Sequence, residues 1–267
     1  MRFFLIVAFA PLFFSCTPNN VTEEESVGKY FTEAGATGSL AVLDNGTGEF
    51  TIYNLDRYRD SAYLPAGTFT IVASLVGLQT GRISNDSMVI PWDGITRGQA
   101  ACNGNASMYT AFRSSCTGWY RELARRIGKD TMQQWIDTLA YGTKKIQVLD
   151  SFWLDNSLKV KPDEQLGLIK KLYFTSLPFH KINQDMVKKA MVREVNTNYT
   201  LSYQDGEGIN ERGNQVGWSV GYIEENKHPY FFVLSIETPG KQGMTAETNL
   251  RVLKNALGGL GFMQGKR

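Results

Sequence analysis

The chain of 267 residues has little of what metal sites are built from. It holds two histidines, His180 and His228, and three cysteines. None of them falls in a Cys-x-x-Cys or His-x-x-x-His spacing, so neither a structural nor a catalytic zinc site is expected, and no cofactor is called for. An excess of charge of one sign is also lacking. Lys and Arg number 28 against 26 Asp and Glu, a formal net charge of +2. With no basic run and no basic helix, nucleic acid is not an expected partner. Internal repeats and low-complexity segments are absent, so one compact body is expected. A hydrophobic content of 42% allows it a sizeable core and favours a soluble globular class.

The N-terminus stands apart. Residues 1–16 read "MRFFLIVAFAPLFFSC". Arg2 makes a short basic n-region before about a dozen mostly apolar residues. A bilayer span needs about 20, so this length suits the h-region of a signal peptide. The run ends on Ser15 and Cys16, which resembles a bacterial lipobox with Cys16 as the lipidated first residue of the mature chain. Phe13 and Phe14 depart from the usual pattern, and an ordinary secretory signal is the alternative. The expectation is an exported protein, periplasmic or an outer-membrane lipoprotein of a Gram-negative bacterium, with membrane attachment through Cys16. Residues 17–29 are polar and acidic and are read as a flexible tether, with the folded domain at 30–267. In an oxidising compartment Cys102 and Cys116 either pair, closing a loop for which about 3 kcal/mol is typical, or remain as two buried thiols.

The rest of the chain shows clear periodicities. "GSLAVLDNGTGEFTIYN" alternates on both sides of a turn, with Leu40, Val42, Phe50 and Ile52 on inner strand faces. "FTIVASLVGLQTG" is an apolar helix stopped by Gly81. Trp119, Leu123 and Ile127 recur at helical spacing up to Gly128. Asp130 is placed as the cap of the next helix, with Gln133 in the capping-box position. Pro162, Asp163 and Glu164 suit a helix N-terminus, and "QDMVKKAMV" is a further short helix. "TLSYQDG", "QVGWSVGYIEE" and "HPYFFVLSIET" are three aromatic and β-branched strands before a last helix, "AETNLRVLKNALGGLGF". An antiparallel sheet completed from both chain ends, beside a helical region, is an α+β architecture.

Several stretches, in order, resemble the class D β-lactamases of the penicillin-binding transpeptidase family: "IPWDGITRG", "AFRSSCTGWYRELARRIG", "LAYGT", "FWLDNSLKVKPDEQLGLIKKLYFTSLPF" and "QVGWSVGYIEE". The likeness covers nearly all of the chain after residue 30. It implies the serine β-lactamase fold, an antiparallel sheet flanked by helices with a helical subdomain. At residues 65–71 the family pattern is Pro-Ala-Ser-Thr-Phe-Lys-Ile, and this chain reads "PAGTFTI". Gly67 stands where the resemblance places the nucleophilic serine. Thr70 stands where it places the lysine that the family carboxylates and uses as base. Gly67 has no side chain to attack with, and a threonine hydroxyl does not titrate near neutrality. Thr68 points elsewhere on the helix and is read as a packing or cap residue.

Other motif positions are mixed. Ser115 keeps the family's proton-relay serine, with Thr117 where a valine is usual. Tyr141 and Gly142 remain, followed by Thr143 in place of asparagine. Trp153 remains, and without the lysine its indole N–H needs another partner, such as water or Thr70. Gln204, Asp205 and Gly206 fit best the places of the Lys-Thr-Gly strand that holds a β-lactam carboxylate. Neither Gln204 nor Asp205 attracts a carboxylate, and for the family's further arginine only Lys241 and the deeper Arg251 are at hand. Nucleophile, base and carboxylate-holding cation are thus missing together. The expectation is a protein that does not hydrolyse β-lactams through a covalent serine. Its pocket, framed by Ser115, Thr117, Tyr141, Trp153, Gln204, Asp205 and Gly206, would instead bind a peptidoglycan peptide or a β-lactam. An envelope interaction scaffold, and a hydrolase remodelled around Asp205, are the alternatives.

Overall fold

The computed structural model describes residues 20–97, 99–143, 146–240 and 246–267. The signal segment with Cys16, and Lys241, lie outside these residues. The strands are β1 (Val21–Glu23), β2 (Thr37–Asp44), β3 (Phe50–Tyr53), β4 (Val89–Ile90), β5 (Ala106–Ser107), β6 (Val192–Val195), β7 (Thr200–Ile209), β8 (Gln215–Glu225) and β9 (His228–Thr238). The helices are α1 (Gly28–Glu33), α2 (Leu55–Asp60), α3 (Thr70–Gln79), α4 (Met108–Arg113), α5 (Thr117–Ile127), α6 (Lys129–Leu139), α7 (Pro162–Tyr173), α8 (Lys181–Met191) and α9 (Ala246–Gly259). A 3-10 turn, Ala66–Phe69, leads into α3. Among the described residues no helix is long and apolar enough to cross a membrane.

The seven-stranded sheet runs β1-β3-β2-β9-β8-β7-β6, and β4 pairs with β5 apart from it. The α+β class is as expected. Two expectations need correction. The sheet is not wholly antiparallel, because β1 pairs parallel with β3, Val21 opposite Phe50. For the same reason residues 20–29 are not a tether: β1 is hydrogen-bonded into the sheet edge, and Val27 is buried against α9's layer. The alternation of apolar and polar residues had pointed to one buried sheet face, but both faces are covered. Leu40 and Val42 lie under α1 and α9, whereas Ile52 and Phe50 face the larger helical side with Ala41 and Leu43.

That larger side is built around α3, buried along most of its length, as its continuous apolar sequence requires. Trp119, Leu123 and Ile127 of α5 are buried as their spacing predicts. Gly128, not Asp130, caps α6. Its positive φ of 85° lets the chain turn directly from α5 into a helix that begins at Lys129, leaving Asp130 inside the first turn. Pro162 opens α7, and Glu164 accepts a hydrogen bond from the Lys161 N–H, closing the expected N-terminus. Cys102 and Cys116 form a disulfide, with Cα atoms 5.3 Å apart, that ties the segment before β5 to the start of α5.

One buried carboxylate holds the far end of β7. Glu237, at the end of β9, accepts hydrogen bonds from Arg57 of α2 (2.5 Å) and from Asn210 and Asn214 of the β7–β8 turn (both 2.8 Å). Burial acts to raise its carboxyl, but the Asn214, Arg57 and Asn210 hydrogen bonds outweigh it and bring it down to about 2. Removing the carboxylate strands a guanidinium, so Glu237→Ala should cost about 3 kcal/mol. Because the folded value lies below the ordinary one, the contribution is present above the unfolded carboxyl range and lost as pH falls through the folded value. Thermal unfolding should therefore show a gap between wild type and Glu237→Gln that shrinks from about pH 6 to about pH 3.

Candidate functional site

The 3-10 turn Ala66–Phe69 is the floor of the site, and its geometry is over-determined. Trp218 of β8 donates its indole N–H to the Leu64 carbonyl (2.9 Å), and the Ala66 N–H donates to the Trp153 carbonyl (2.9 Å). Thr68 is buried. Its hydroxyl donates to the Pro65 carbonyl (2.6 Å) and accepts from Gln165 (2.6 Å), the packing role expected of it. Ala66 has a φ of 48° and Ser115 a φ of 47°, left-handed values that cost a non-glycine residue free energy. Ser115 lines the cavity, and Ala66 immediately precedes Gly67, which lines it too.

Strand β7 lies across this floor with very little clearance. Gly206 rests on Gly67 so closely that a Cβ at 206 would stand 2.5 Å from the Gly67 nitrogen. Gly208, two residues on along the same strand face, is equally tight against Leu64. A Cβ at residue 67 would stand 2.6 Å from the Asp205 carbonyl oxygen and 3.2 Å from Ser115 Oγ. The strand backbone thus sits where the first carbon of a residue-67 side chain would go.

Strand alternation separates the expected site residues. Gln204 and Gly206 face the floor, while Asp205 and Glu207 lie on the opposite face of β7. Beyond Ser202 the outer edge of β7 no longer pairs with β6, so residues from both faces reach the cavity along this edge. Gln204 is fully buried. Its Nε2 lies 3.0 Å from Thr70 Oγ1, 2.9 Å from Ser115 Oγ and 3.1 Å from the Phe112 carbonyl, three acceptors for two hydrogens. Thr70 in turn donates to the Gly67 carbonyl (2.7 Å). The hydroxyl at residue 70 is therefore committed to Gly67 and Gln204, and does not partner Trp153.

Arg193 of β6 fixes this arrangement. It donates to Gln204 Oε1 (2.7 Å), to the Arg113 carbonyl (2.9 Å) and to the Tyr203 carbonyl (3.2 Å). A guanidinium on the amide oxygen leaves the amide NH2 turned towards Thr70 and Ser115. Burial lowers the Arg193 guanidinium from its ordinary value, with Asp205 opposing. Burial likewise pushes the Asp205 carboxyl up, against the attraction of Arg193. Glu207 is more exposed, at the cavity mouth. Desolvation at the strand edge and the Asp205 charge still push it up to about 7.

The cavity measures about 280 Å³, and Gly67, Thr70, Ser115, Thr117, Trp153, Asp205 and Gly206 reach it. Trp153 is both wall and core: its ring stacks on Phe69 at 5.3 Å. Two of the seven residues expected to frame the pocket do not line it. Gln204 is sealed behind Ser115. Tyr141 is buried behind the floor, where its hydroxyl donates to Gln165 (3.3 Å) and supports Thr68. Burial pushes its phenol up. Sequence reasoning missed Arg113 and Glu207, which do line the cavity, and Arg193, which stands behind it. Period-two alternation from Asp205 would have found Glu207. Nothing local marks Arg193, which meets Gln204 through the β6–β7 pairing. Among the described residues no group of three or more His, Cys, Asp or Glu side chains is placed to hold a metal.

Residues 38–257 match the family model described as the penicillin-binding protein transpeptidase domain. The chain is similar to β-lactamase OXA-48 of Klebsiella pneumoniae, 32% identical over 83% of this chain and 83% of that protein. Among solved structures it resembles the class D β-lactamase YbXI from Nostoc, with a TM-score of 0.83 and 33% identity over 89% of this chain and 99% of that one. It resembles equally the C-terminal domain of the Bacillus licheniformis BlaR penicillin-receptor, with a TM-score of 0.85 and 26% identity over 92% and 99%.

The contact at Gly67 has a direct consequence. Gly67→Ala should destabilise the fold by about 2 kcal/mol, because β7 backbone must move. Gly167→Ala, at a position in α7 with open space around it, should stabilise by about 0.5 kcal/mol. Urea unfolding of the two variants beside wild type measures both. Equal shifts of the same sign would mean that β7 yields freely.

Proposed function

Given that the chain belongs to the penicillin-binding transpeptidase family, among its class D β-lactamase-like proteins, we propose that it is a non-acylating binder. It holds a β-lactam or a peptidoglycan peptide reversibly in the cavity at β7. One observation carries this reading: residue 67 is glycine, and the Asp205 carbonyl occupies the space its side chain would need. The neighbouring base position agrees. Thr70 has no group that titrates near neutrality, and its hydroxyl is bonded to Gly67 and Gln204. Kinship with a penicillin receptor domain supports binding as an end in itself. In the same reading Cys16 is lipidated after export, and the domain works at the envelope.

Recognition runs through Ser115 and the cavity edge. Ser115 Oγ accepts from Gln204, which leaves its own O–H to donate to a ligand oxygen. Arg113 supplies a cation, while Asp205 and Glu207 oppose a ligand carboxylate. A second reading has one observation in its favour: a carboxyl near 7 in a cavity is suited to general-base work, so Glu207 could activate water without any covalent intermediate.

The reading is tested with benzylpenicillin. Intact mass should show no adduct, and thermal shift should show saturable binding that dilution reverses and Ser115→Trp abolishes. A stable mass gain would sink the proposal. Hydrolysis without an adduct, lost in Glu207→Gln, would favour the second reading. Binding should also depend on pH. Glu207 is neutral below about 7 and charged above it, so affinity for the penicillin anion should rise about three- to four-fold on going from pH 8 to pH 6, as removal of about 1 kcal/mol of repulsion implies. Glu207→Gln should flatten that profile at its low-pH level.

A further inference from the structure

A second cavity lies on the other side of the Cys102–Cys116 bridge and shares no lining residue with the first. It measures about 240 Å³, between the segment after β4 and the outer face of α5. Drug-sized ligands usually occupy about 300–1,000 Å³, so this space suits a single ring.

Its walls are two indoles whose polar atoms are already used. Trp119 donates its N–H to the Ala106 carbonyl (2.9 Å), and Trp92 donates to the Ile95 carbonyl (3.2 Å). Both rings are thereby fixed in orientation and have only apolar surface to offer. Trp92 remains 38% exposed, the side chain on which a ligand can be laid.

The charges around them balance, three guanidiniums against three carboxylates, with Glu122 shared by two of the guanidiniums. Arg97 makes a two-pronged contact with Asp93 (2.9 and 2.6 Å), and its guanidinium lies over the first turn of α5, in the space left by Gly118. Glu122 accepts from Arg126 (2.9 Å) and from Arg125 (3.5 Å), and Arg125 also pairs with Asp150 (2.6 Å), which stands just outside the lining. An anion entering here meets a carboxylate beside every cation, and a cation meets a guanidinium beside every carboxylate. Neither gains much. Each pair still has spare N–H groups and spare carboxylate lone pairs within one turn of another. Hydroxyl groups, which donate and accept at once, match such an array.

We infer that this cavity is a binding site for a neutral sugar. A pyranose ring would lay its C–H face on Trp92 and set its hydroxyls between the Arg97–Asp93 and Arg126–Glu122 pairs. Because both walls and both ion pairs are pre-formed, little ordering cost attends binding.

The test uses the full chain and N-acetylglucosamine as probe. Titration should shift the Trp92 indole N–H resonance saturably and quench tryptophan fluorescence, and glucuronate should bind at least five-fold more weakly than glucose, its neutral counterpart. Glu122→Gln, which unbalances the neutral array, should reduce that discrimination, and Trp92→Ala should remove binding while leaving the melting temperature close to wild type. The resonance reading needs no variant, so it stands even if one fails to fold. No shift at Trp92 with N-acetylglucosamine, or tighter binding of glucuronate, would overturn the inference.

Discussion

The close seating of β7 on the turn at Ala66–Phe69 is the contact on which the site depends. Two glycines, Gly67 and Gly206, bring backbone against backbone where side chains would hold the elements apart. Around that contact other groups fix each partner. The turn is held by Trp218 and by the Trp153 carbonyl, and the far end of β7 by Glu237 through Asn210 and Asn214. What remains of the cavity lies along the free edge of β7, beyond the point where β6 stops pairing.

Polar groups at the floor follow from the same closeness. A buried amide, Gln204, lies between Thr70 and Ser115, where a lysine is expected in the family, and its orientation is set by Arg193 from the neighbouring strand. Arg193 stands outside the floor, where it touches an amide oxygen and backbone carbonyls. Every floor hydroxyl then has a neutral partner, which a buried charge at this place would need further compensation to match. The acids Asp205 and Glu207 are left at the edge, where water still reaches part of them.

Much of the architecture was legible in residue spacing. The three C-terminal strands, α3, α5 and the Pro162 start of α7 carry strong periodicity or strong end signals. Short elements were missed. α1 and α2 are single amphipathic turns in polar sequence, and β1 gains its strand form only from β3. The two-sided burial of β2 could not be separated from one-sided burial, because a strand under two layers and a strand under one can share the same alternating residues. Tyr141 was misplaced for a related reason: a motif position says which turn a residue occupies, and whether its ring reaches the cavity depends on Gln165, which packs behind the turn.

By itself, the order of residues determined that the chain has a β-lactamase-like frame, with glycine at residue 67 and threonine at residue 70, since side-chain chemistry is a local property. Only the tertiary structure decided what surrounds these two residues. The distance from the Asp205 carbonyl to Gly67, the hold of Arg193 on Gln204 and the separation of Gln204 from Asp205 at the cavity edge are all set between segments far apart in the chain. Such distances arise from strand pairing and packing, and no single segment encodes them.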